Sequence, residues 1–561
     1  MDTFDFIVVG AGSAGCVLAN RLSADPKNTV LLLEAGGDDR PLHNLKQFWS
    51  NVMIHTPIGF GKTLNDPKVN WLYETEIDEG SGGRRHKWPK GKVLGGSSSI
   101  NGLVYVRGHA LDFDRWEELG ARGWAYRDVL PYFRRAETHL EGADEYRGGD
   151  GPLATRTGVS TNPLYRAFIE AAKQAGYAES ADLNGYRQEG FGKLDMTVKN
   201  GVRSSAALAY LHPAMRRKNL AVRTHALVTA IVMEGNRAVG VRYTRGGRDE
   251  TAMAMHEVIL AGGAVNSPQL LKLSGIGPAD ELRALGIPVV RDLPGVGENL
   301  QDHLEFYLQV ASKLPVTLYS AMGLFARGRI GMRWLLKRDG LGATNHFEAG
   351  GFIRSRAGIS YPDIQYHFLP LAMSYDGKKL ATEHGYQVHV GPMRSKSRGW
   401  VKLRSADPRA SPRIRFNYMS DPDDWRQMRA CVRLTREILS EPAFDAFRGR
   451  EIQPGAEATS DADIDGFIRA KAESAYHPSG TCRMGRAEDP ATVVDAEARV
   501  IGIERLRVAD ASIMPSITNG NLNAPTIMLA EKAADHILGR PPLAPSNAPC
   551  YVADNWQTAQ R

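Results

Sequence analysis

A glycine-rich turn near the amino terminus constrains the fold more than any other feature of this sequence. The turn occupies residues 10–15 and reads GAGSAG, directly after an apolar run at residues 4–9 that is typical of a buried parallel strand. Gly10 permits the tight turn, Gly12 lets the backbone approach a pyrophosphate, and Gly15 lets the following helix pack closely on the strand. The turn therefore predicts a dinucleotide site at a helix amino terminus.

The residues after the turn complete a βαβ unit. Residues 14–22 have helical character, and residues 29–33 form a second apolar strand that ends at Glu34. A carboxylate at this place can accept hydrogen bonds from both ribose hydroxyls and would repel a 2′-phosphate, which argues against NADP. The fingerprint does not by itself separate FAD from NAD.

Composition excludes several other classes of protein. The 561 residues carry 70 Lys and Arg against 63 Asp and Glu, a net charge of +7 without a basic block, so we expect no nucleic-acid partner. No apolar run reaches the length of a membrane span, although peripheral membrane contact stays open. The four cysteines show neither disulfide nor metal-site spacing, and the acidic start is unlike a signal peptide. A cytoplasmic location fits best.

Strand signals recur far from the first βαβ unit. Two strands flank a turn at residues 235–236, an apolar strand covers 257–260, another covers 506–509, and a helix covers 525–538. We therefore predict an α/β protein with a discontinuous Rossmann-like domain and a second, sheet-based domain. The predicted nucleotide-binding domain comprises residues 1–155, 200–310 and 476–541, the substrate domain comprises 156–199 and 311–475, and residues 542–561 form a tail that is an arm or a disordered end.

Two further motifs resemble those of a known family. Residues 91–101 (GKVLGGSSSIN) form a second small-residue loop whose amides can approach a planar ring or a phosphate. Residues 91–108 and 263–277 resemble the two signatures of the glucose–methanol–choline oxidoreductase family, and the resemblance covers nearly the whole chain. It implies FAD as the cofactor, in a flavin domain beside a sheet-based substrate domain.

The resemblance also implies which residues contact FAD. Ile100 stands where some members of the family tether the flavin through histidine, so a non-covalent FAD is expected. The implied cofactor contacts are Gly10, Gly12, Ser13, Ala14, Gly15, Glu34, Ala35, Leu94, Gly95, Ser97, Asn101, Gly102, Leu103, Val104, Val228, Asp510, Ala511, Asn521, Asn523 and Thr526.

Oxidation of an alcohol needs a base for the hydroxyl proton and a donor that holds the oxygen. His477 lies in a segment that matches the family's His-Pro-x-Gly-Thr motif, and an imidazole accepts a proton near neutral pH. Asn521 stands where the family has Asn or His, with Asn523 as the neighbouring candidate. The helix predicted after them would point its positive end at the flavin.

The substrate is less constrained than the chemistry. Residues 345–352 are similar to choline dehydrogenases, so choline is the leading substrate, with Glu348 and Tyr476 attracting its cationic head and His367 supporting the base or the substrate. An uncharged primary alcohol is the alternative. An NAD-dependent dehydrogenase and a non-catalytic flavoprotein are rival classes. Oxygen, a quinone or another carrier could reoxidise the flavin, so dehydrogenase and oxidase both stay open.

Overall fold

A computed structural model describes residues 2–373 and 383–561. Among them, seven strands form a first sheet in which Asp2–Val9 is central and pairs in parallel with Val30–Leu33 on one side and Arg248–Leu260 on the other. The strand Val30–Leu33 is almost fully buried, as its unbroken apolar run predicts. The other strands of this sheet are Leu220–Arg223, Ala226–Glu234, Arg237–Arg245 and Leu506–Val508.

The predicted elements of this region are confirmed with small shifts at their ends. The first helix is Ser13–Leu22, and the last is Asn523–Ile537, which begins two residues before the predicted start. These two helices pack together, and Arg21 forms an ion pair with Glu531 at 2.7 Å. The mixed α/β architecture predicted from the sequence is confirmed.

In the described part of the chain, a second sheet also has seven strands. Its order runs Arg448–Gln453, Leu304–Ser312, Gly385–Pro392, Ile364–Leu369, Ala349–Ile353 and Gly190–Lys193, with Glu473–Ser474 paired to Leu304–Ser312. The helices Pro163–Gln174 and Pro422–Ser440 cover one face and bury an apolar core. The predicted boundary at residue 310 lies inside the strand Leu304–Ser312.

Shorter elements connect the two sheets. Further α-helices are Phe48–His55, Phe60–Thr63, Ala110–Glu118, Tyr126–Ala136, His212–Ala214, Gly263–Leu273, Ala279–Ala284, Leu324–Lys337 and Asp461–Lys471. A π-helical turn is Ala207–Leu211, and 3₁₀ turns are Pro41–His43, Leu45–Gln47, Pro57–Gly59, Gly96–Ser99, Leu318–Ala321, Gly340–Ala343, Pro442–Phe444 and Ala511–Ile513. Minor strands are Tyr73–Glu74, Lys87–Trp88, Val104–Tyr105, Glu137–His139, Leu153–Thr157, Asp195–Met196, Val198–Lys199, Val202–Arg203, Ile276–Gly277, Arg291–Asp292, Trp400–Lys402 and Arg413–Arg415.

The tail at residues 542–561 is an arm laid along the surface. Its amides at Ser546 and Tyr551 donate to the carbonyls of Arg127 and Tyr186, at 2.8 and 2.9 Å. Near its end, Arg561 stacks on Tyr177. Of the two alternatives predicted for this segment, the arm is the one observed. In residues 2–373 and 383–561, no helix is long and apolar enough to cross a membrane.

Candidate active site

A cavity of about 960 Å³ lies between the two sheets. It extends from the glycine-rich turn of the first sheet to side chains of the second sheet, and it is the place where most of the predicted site residues meet. The first wall includes the glycine-rich loops, and the far wall includes residues of the second sheet.

The three glycines of the first turn differ in what surrounds them. Gly10 has φ +99°, and a Cβ there would lie 2.6 Å from the carbonyl oxygen of Ala261. A Cβ on Gly15 would lie 1.8 Å from the carbonyl oxygen of Gly10, so this glycine is needed for packing and does not line the cavity. A Cβ on Gly12 would meet its nearest neighbour, the carbonyl oxygen of Ala261, only at 3.9 Å. The protein around Gly12 therefore leaves room for a Cβ, and this residue lines the cavity.

Glu34 holds the turn in place from the second strand. Its carboxylate accepts hydrogen bonds from the amides of Ala11 at 2.9 Å and Gly36 at 2.7 Å. Burial raises the pKa of Glu34 to about 7, and the two amides oppose this rise. The side chain lines the cavity, where ribose hydroxyls can supply the polar partners that a buried carboxylate requires.

The second small-residue loop packs directly against the first. The amide of Gly95 donates to the carbonyl of Ala11 at 2.7 Å, and a Cβ on Gly96 would lie 2.7 Å from the Cα of Gly12. Leu94 and Gly95, which were predicted as cofactor contacts, do not line the cavity. Leu94 is fully buried in the apolar core, and Gly95 supports the turn from behind.

The remaining predicted cofactor residues line one continuous wall. In the described part of the chain, no side chain caps the start of the helix Ser13–Leu22 or of the helix Asn523–Ile537. Both helix starts therefore have main-chain N–H groups available to a ligand in the cavity. Such a wall fits the pyrophosphate of a dinucleotide. The predicted residues on it are Gly10, Gly12, Ser13, Ala14, Glu34, Ala35, Ser97, Asn101, Gly102, Leu103, Val104, Val228, Asp510, Ala511, Asn521, Asn523 and Thr526.

His477 and Asn521 meet at the middle of the cavity. Asn521 Nδ2 lies 3.1 Å from His477 Nε2, although the two residues are 44 positions apart. Gln365 donates to Asn521 Oδ1 at 3.3 Å, which turns the NH₂ of Asn521 toward the imidazole. Asn523 is directed elsewhere, because its Oδ1 accepts the hydroxyl hydrogen of Ser13 at 2.8 Å. Of the two asparagines, Asn521 is therefore the one beside the imidazole.

A second histidine, which reasoning from the sequence missed, assigns the tautomer of His477. Burial lowers the pKa of His303 to about 3, so this ring is neutral. Its Nε2 lies 3.1 Å from the carbonyl oxygen of Met393 and must donate, which makes its Nδ1 an acceptor. His477 Nδ1 lies 3.0 Å from that acceptor and must carry hydrogen. His477 Nε2 therefore carries none and presents a lone pair to the cavity.

The main chain of the same loop is held at both sides of one peptide bond. Lys90 Nζ donates to the carbonyl of Tyr476 at 2.7 Å, and the amide of His477 donates to Asp302 Oδ1 at 2.7 Å. Tyr476 has φ +65°, a strained value for a residue with a side chain. The hydroxyl of Tyr418 donates to the second oxygen of Asp302 at 2.6 Å. This clamp was also missed, because Lys90 and Asp302 belong to distant segments.

His477 is kept neutral by its surroundings. Loss of hydration on burial holds the pKa of His477 well below its usual range. The nearby rings of His303 and His367 and the ammonium of Lys90 add to this lowering. Burial also lowers the pKa of Lys90, to about 7. A neutral imidazole whose Nε2 carries no hydrogen is the form that can accept a proton.

The predicted role of Glu348 in binding substrate is not supported by its position, because Glu348 does not line the cavity. Its carboxylate accepts a hydrogen bond from the hydroxyl of Thr344 at 2.5 Å and another from the amide of Ser160. It is a buried structural acid that joins two loops. The acid that faces the substrate end of the cavity is instead Glu305, whose carboxylate lies 3.3 Å from His389 Nδ1.

The substrate end is a row of side chains across neighbouring strands. The register pairs Tyr307 with His389 and His389 with His367, so three rings stand side by side on one face of the second sheet. Phe347 packs edge-on against His367, with ring centroids 5.9 Å apart. Tyr476 and His367, which were predicted to bind the substrate, line the cavity, and burial lowers the pKa of His367 to about 4. Aromatic and polar groups thus enclose this end.

Comparisons with known proteins agree with this architecture. Two family models, both described as GMC oxidoreductase, match residues 4–305 and 395–530. An oxygen-dependent choline dehydrogenase of Photobacterium profundum is 55% identical over 561 residues, covering 100% of this chain and 97% of that protein. The pyridoxine 4-oxidase of Mesorbium loti superposes with a TM-score of 0.85 at 30% identity, covering 96% and 100% of the chains. A formate oxidase variant of Aspergillus oryzae RIB40, solved to study FAD modification, gives 0.87 at 26% identity, covering 96% and 98%.

Proposed function

Because the chain belongs to the GMC oxidoreductase family, we propose that it is an FAD-dependent enzyme that oxidises choline to betaine aldehyde. The reaction removes a proton from the hydroxyl group of the alcohol and a hydride from its carbinol carbon. The observation that carries the proposal is the unprotonated Nε2 of His477, which faces the cavity beside the amide of Asn521.

The cofactor would lie along the wall that includes the glycine-rich loops. FAD, when bound, supplies an electrophilic ring that accepts the hydride. Gly12, Glu34 and the start of the helix Ser13–Leu22 would hold its ADP half, and the residues from Asn101 to Val104 would lie along its other half. Ile100 lines the cavity with a hydrocarbon side chain that offers no nucleophile, which supports non-covalent binding.

His477 and Asn521 would act together on the alcohol oxygen. The lone pair of His477 Nε2 accepts the hydroxyl proton, and the Asn521 amide donates a hydrogen bond that stabilises the developing alkoxide. His303 stabilises the charged ring that results, because its Nδ1 accepts the hydrogen on His477 Nδ1. The alcohol would replace the present hydrogen bond between Asn521 Nδ2 and His477 Nε2, and the two groups would converge on its hydroxyl.

The substrate end supports a cationic alcohol. Glu305 supplies a negative charge there, and the rings of Tyr307 and Phe347 supply aromatic faces that favour a quaternary ammonium group. The relative from Photobacterium profundum bears the name of a choline dehydrogenase and matches over the full length of this chain. Choline is therefore preferred over an uncharged primary alcohol.

Kinetics on matched substrates test this function. We expect kcat/KM to be higher for choline than for 3,3-dimethylbutan-1-ol, its neutral isostere, in assays with an artificial electron acceptor. Equal values would contradict the choline assignment and favour an uncharged primary alcohol. Anaerobic addition of choline should bleach the flavin absorbance. A flavin that stays oxidised with every alcohol would indicate a non-catalytic flavoprotein. A colourless purified protein would indicate an NAD-dependent enzyme. Repeating the assay with oxygen alone would identify whether oxygen is the acceptor.

A further inference from the structure

The helix Leu324–Lys337 has two faces with different surroundings. One face closes a side of the cavity, and the indole of Trp334 on this face donates to the carbonyl of Gly201 at 2.7 Å. The residues of this face that line the cavity are Leu324, Arg327, Gly328, Ile330, Gly331 and Trp334. These contacts fix the orientation of the helix, so the same side chains always point outward from the folded protein.

The outer face exposes large apolar side chains. Phe325 is 96% exposed, Met332 is 58% exposed and Leu336 is 75% exposed. Their spacings of seven and four residues place them in one stripe along the helix. Isolated exposed apolar residues are ordinary, but several large ones on one helix face indicate a binding surface.

Positive charge runs beside this stripe. Arg329, Arg333 and Lys337 follow one another at intervals of four residues, and the helix contains no acidic residue. Arg333 is paired with Asp339 at 2.6 Å, whereas no carboxylate within residues 2–373 and 383–561 forms an ion pair with Arg329 or Lys337. A helix that is apolar along one stripe and basic beside it is typical of segments that lie in the interface of an anionic membrane.

We propose that the protein docks on anionic lipid surfaces through the outer face of the helix Leu324–Lys337. A second copy of the chain is a poorer occupant, because a two-fold contact would bring the same row of cations against itself. Phosphate headgroups instead complement Arg329 and Lys337, while Phe325 and Leu336 enter the acyl boundary. Docking would place the side of the substrate cavity next to the lipid. This inference does not depend on which alcohol is oxidised.

Vesicle flotation of the FAD-loaded protein tests the proposal. We expect binding to vesicles of equal parts phosphatidylglycerol and phosphatidylcholine, weakening in high salt, and little binding to phosphatidylcholine alone. The double variant F325S/L336S should bind the anionic vesicles about tenfold more weakly or less. The double variant R329E/K337E should lose about tenfold or more, because each basic residue near the surface adds to the attraction.

Matched controls separate lipid docking from general effects. M255S removes an apolar side chain that is 55% exposed on the first sheet, and R216E/K218E makes the same change in net charge as R329E/K337E. Both controls should bind like the original protein, and all variants should keep their flavin absorbance. Absence of binding to anionic vesicles, equal loss in the controls, or a dimer in solution that F325S/L336S dissociates would each overturn the proposal.

Discussion

The two ends of the cavity are built from different parts of the chain. The cofactor end is formed mostly by residues of two glycine-rich loops and two helix starts. The substrate end consists of side chains that three strands of the second sheet place in one row. A main-chain site needs small residues in short continuous motifs, whereas a side-chain site needs residues brought together by register. The first kind of site can be recognised in a sequence, and the second needs the fold.

The largest effect is expected when the imidazole of His477, which lies between the two ends of the cavity, is removed. His477→Ala should lower kcat about 10²- to 10⁴-fold, because the alcohol loses the base that accepts its proton. The ratio of flavin to protein absorbance should stay unchanged, since the residues proposed to hold the ADP half of the cofactor are unaltered. His256→Ala, which changes an exposed ring far from the cavity, is the control. A variant at His477 with nearly full turnover would remove it from the mechanism.

Substitution of the two acids tests the substrate end. Glu305→Gln should lower kcat/KM for choline about 10- to 100-fold, as expected for loss of a charged interaction worth about 1.5–3 kcal/mol, and should leave 3,3-dimethylbutan-1-ol little affected. Glu348→Gln should leave the ratio of the two kcat/KM values unchanged, because Glu348 lies outside the cavity. A shift in that ratio with Glu348→Gln, and none with Glu305→Gln, would reverse the assignment.

Two alanine substitutions test the cofactor end. Gly12→Ala should weaken FAD binding about tenfold while the apoprotein unfolds at its normal temperature, because the added methyl meets only the cavity. Gly15→Ala should destabilise the protein by about 1–3 kcal/mol, because its methyl overlaps the carbonyl of Gly10. Flavin titration and thermal unfolding measure the two effects. If both variants lose stability equally, the distinction between a ligand-facing and a packing glycine is wrong.

The smallest effect is expected from Lys90, which with Asp302 holds the peptide bond between Tyr476 and His477. Lys90→Met should move the acid limb of the kcat/KM profile to higher pH, because removing a nearby cation raises the pKa of His477. The plateau rate should change less than about tenfold, since Asp302 still holds the loop. Lys90→Arg should restore the original profile. Lys92→Met, which removes an ammonium that lies over Trp71, is the control and should not shift it.

Particular residues show where prediction from sequence succeeded and failed. The strand–turn–helix at residues 2–22 and the helix Asn523–Ile537 were predicted because local periodicity and glycine placement determine them. Glu348 was predicted as the substrate acid from a resemblance of its segment, but it does not line the cavity and is bonded to Thr344 and Ser160 instead. Glu305 could have been found from its alternation with Tyr307 along the strand Leu304–Ser312, which places the two side chains on the same face.

His303 and Lys90 illustrate what sequence does not contain. The tautomer of His477 depends on the carbonyl of Met393. The peptide bond before His477 is held by Lys90, which is 386 positions from Tyr476 in the chain. Neither contact leaves a local pattern, because each joins segments that meet only after both sheets have formed. Leu94 and Gly95 show the converse, since a correct motif also contains residues that support the loop without lining the cavity.

The hydrogen bond between Ser13 and Asn523 joins the first and last helices across 510 positions of the chain. At about 5–20 residues per second, a ribosome needs roughly half a minute to two minutes to make the intervening chain. The nascent glycine-rich turn therefore emerges long before the helix that completes its wall. The wall that these two helices form is accordingly complete only after nearly the whole chain has been synthesised.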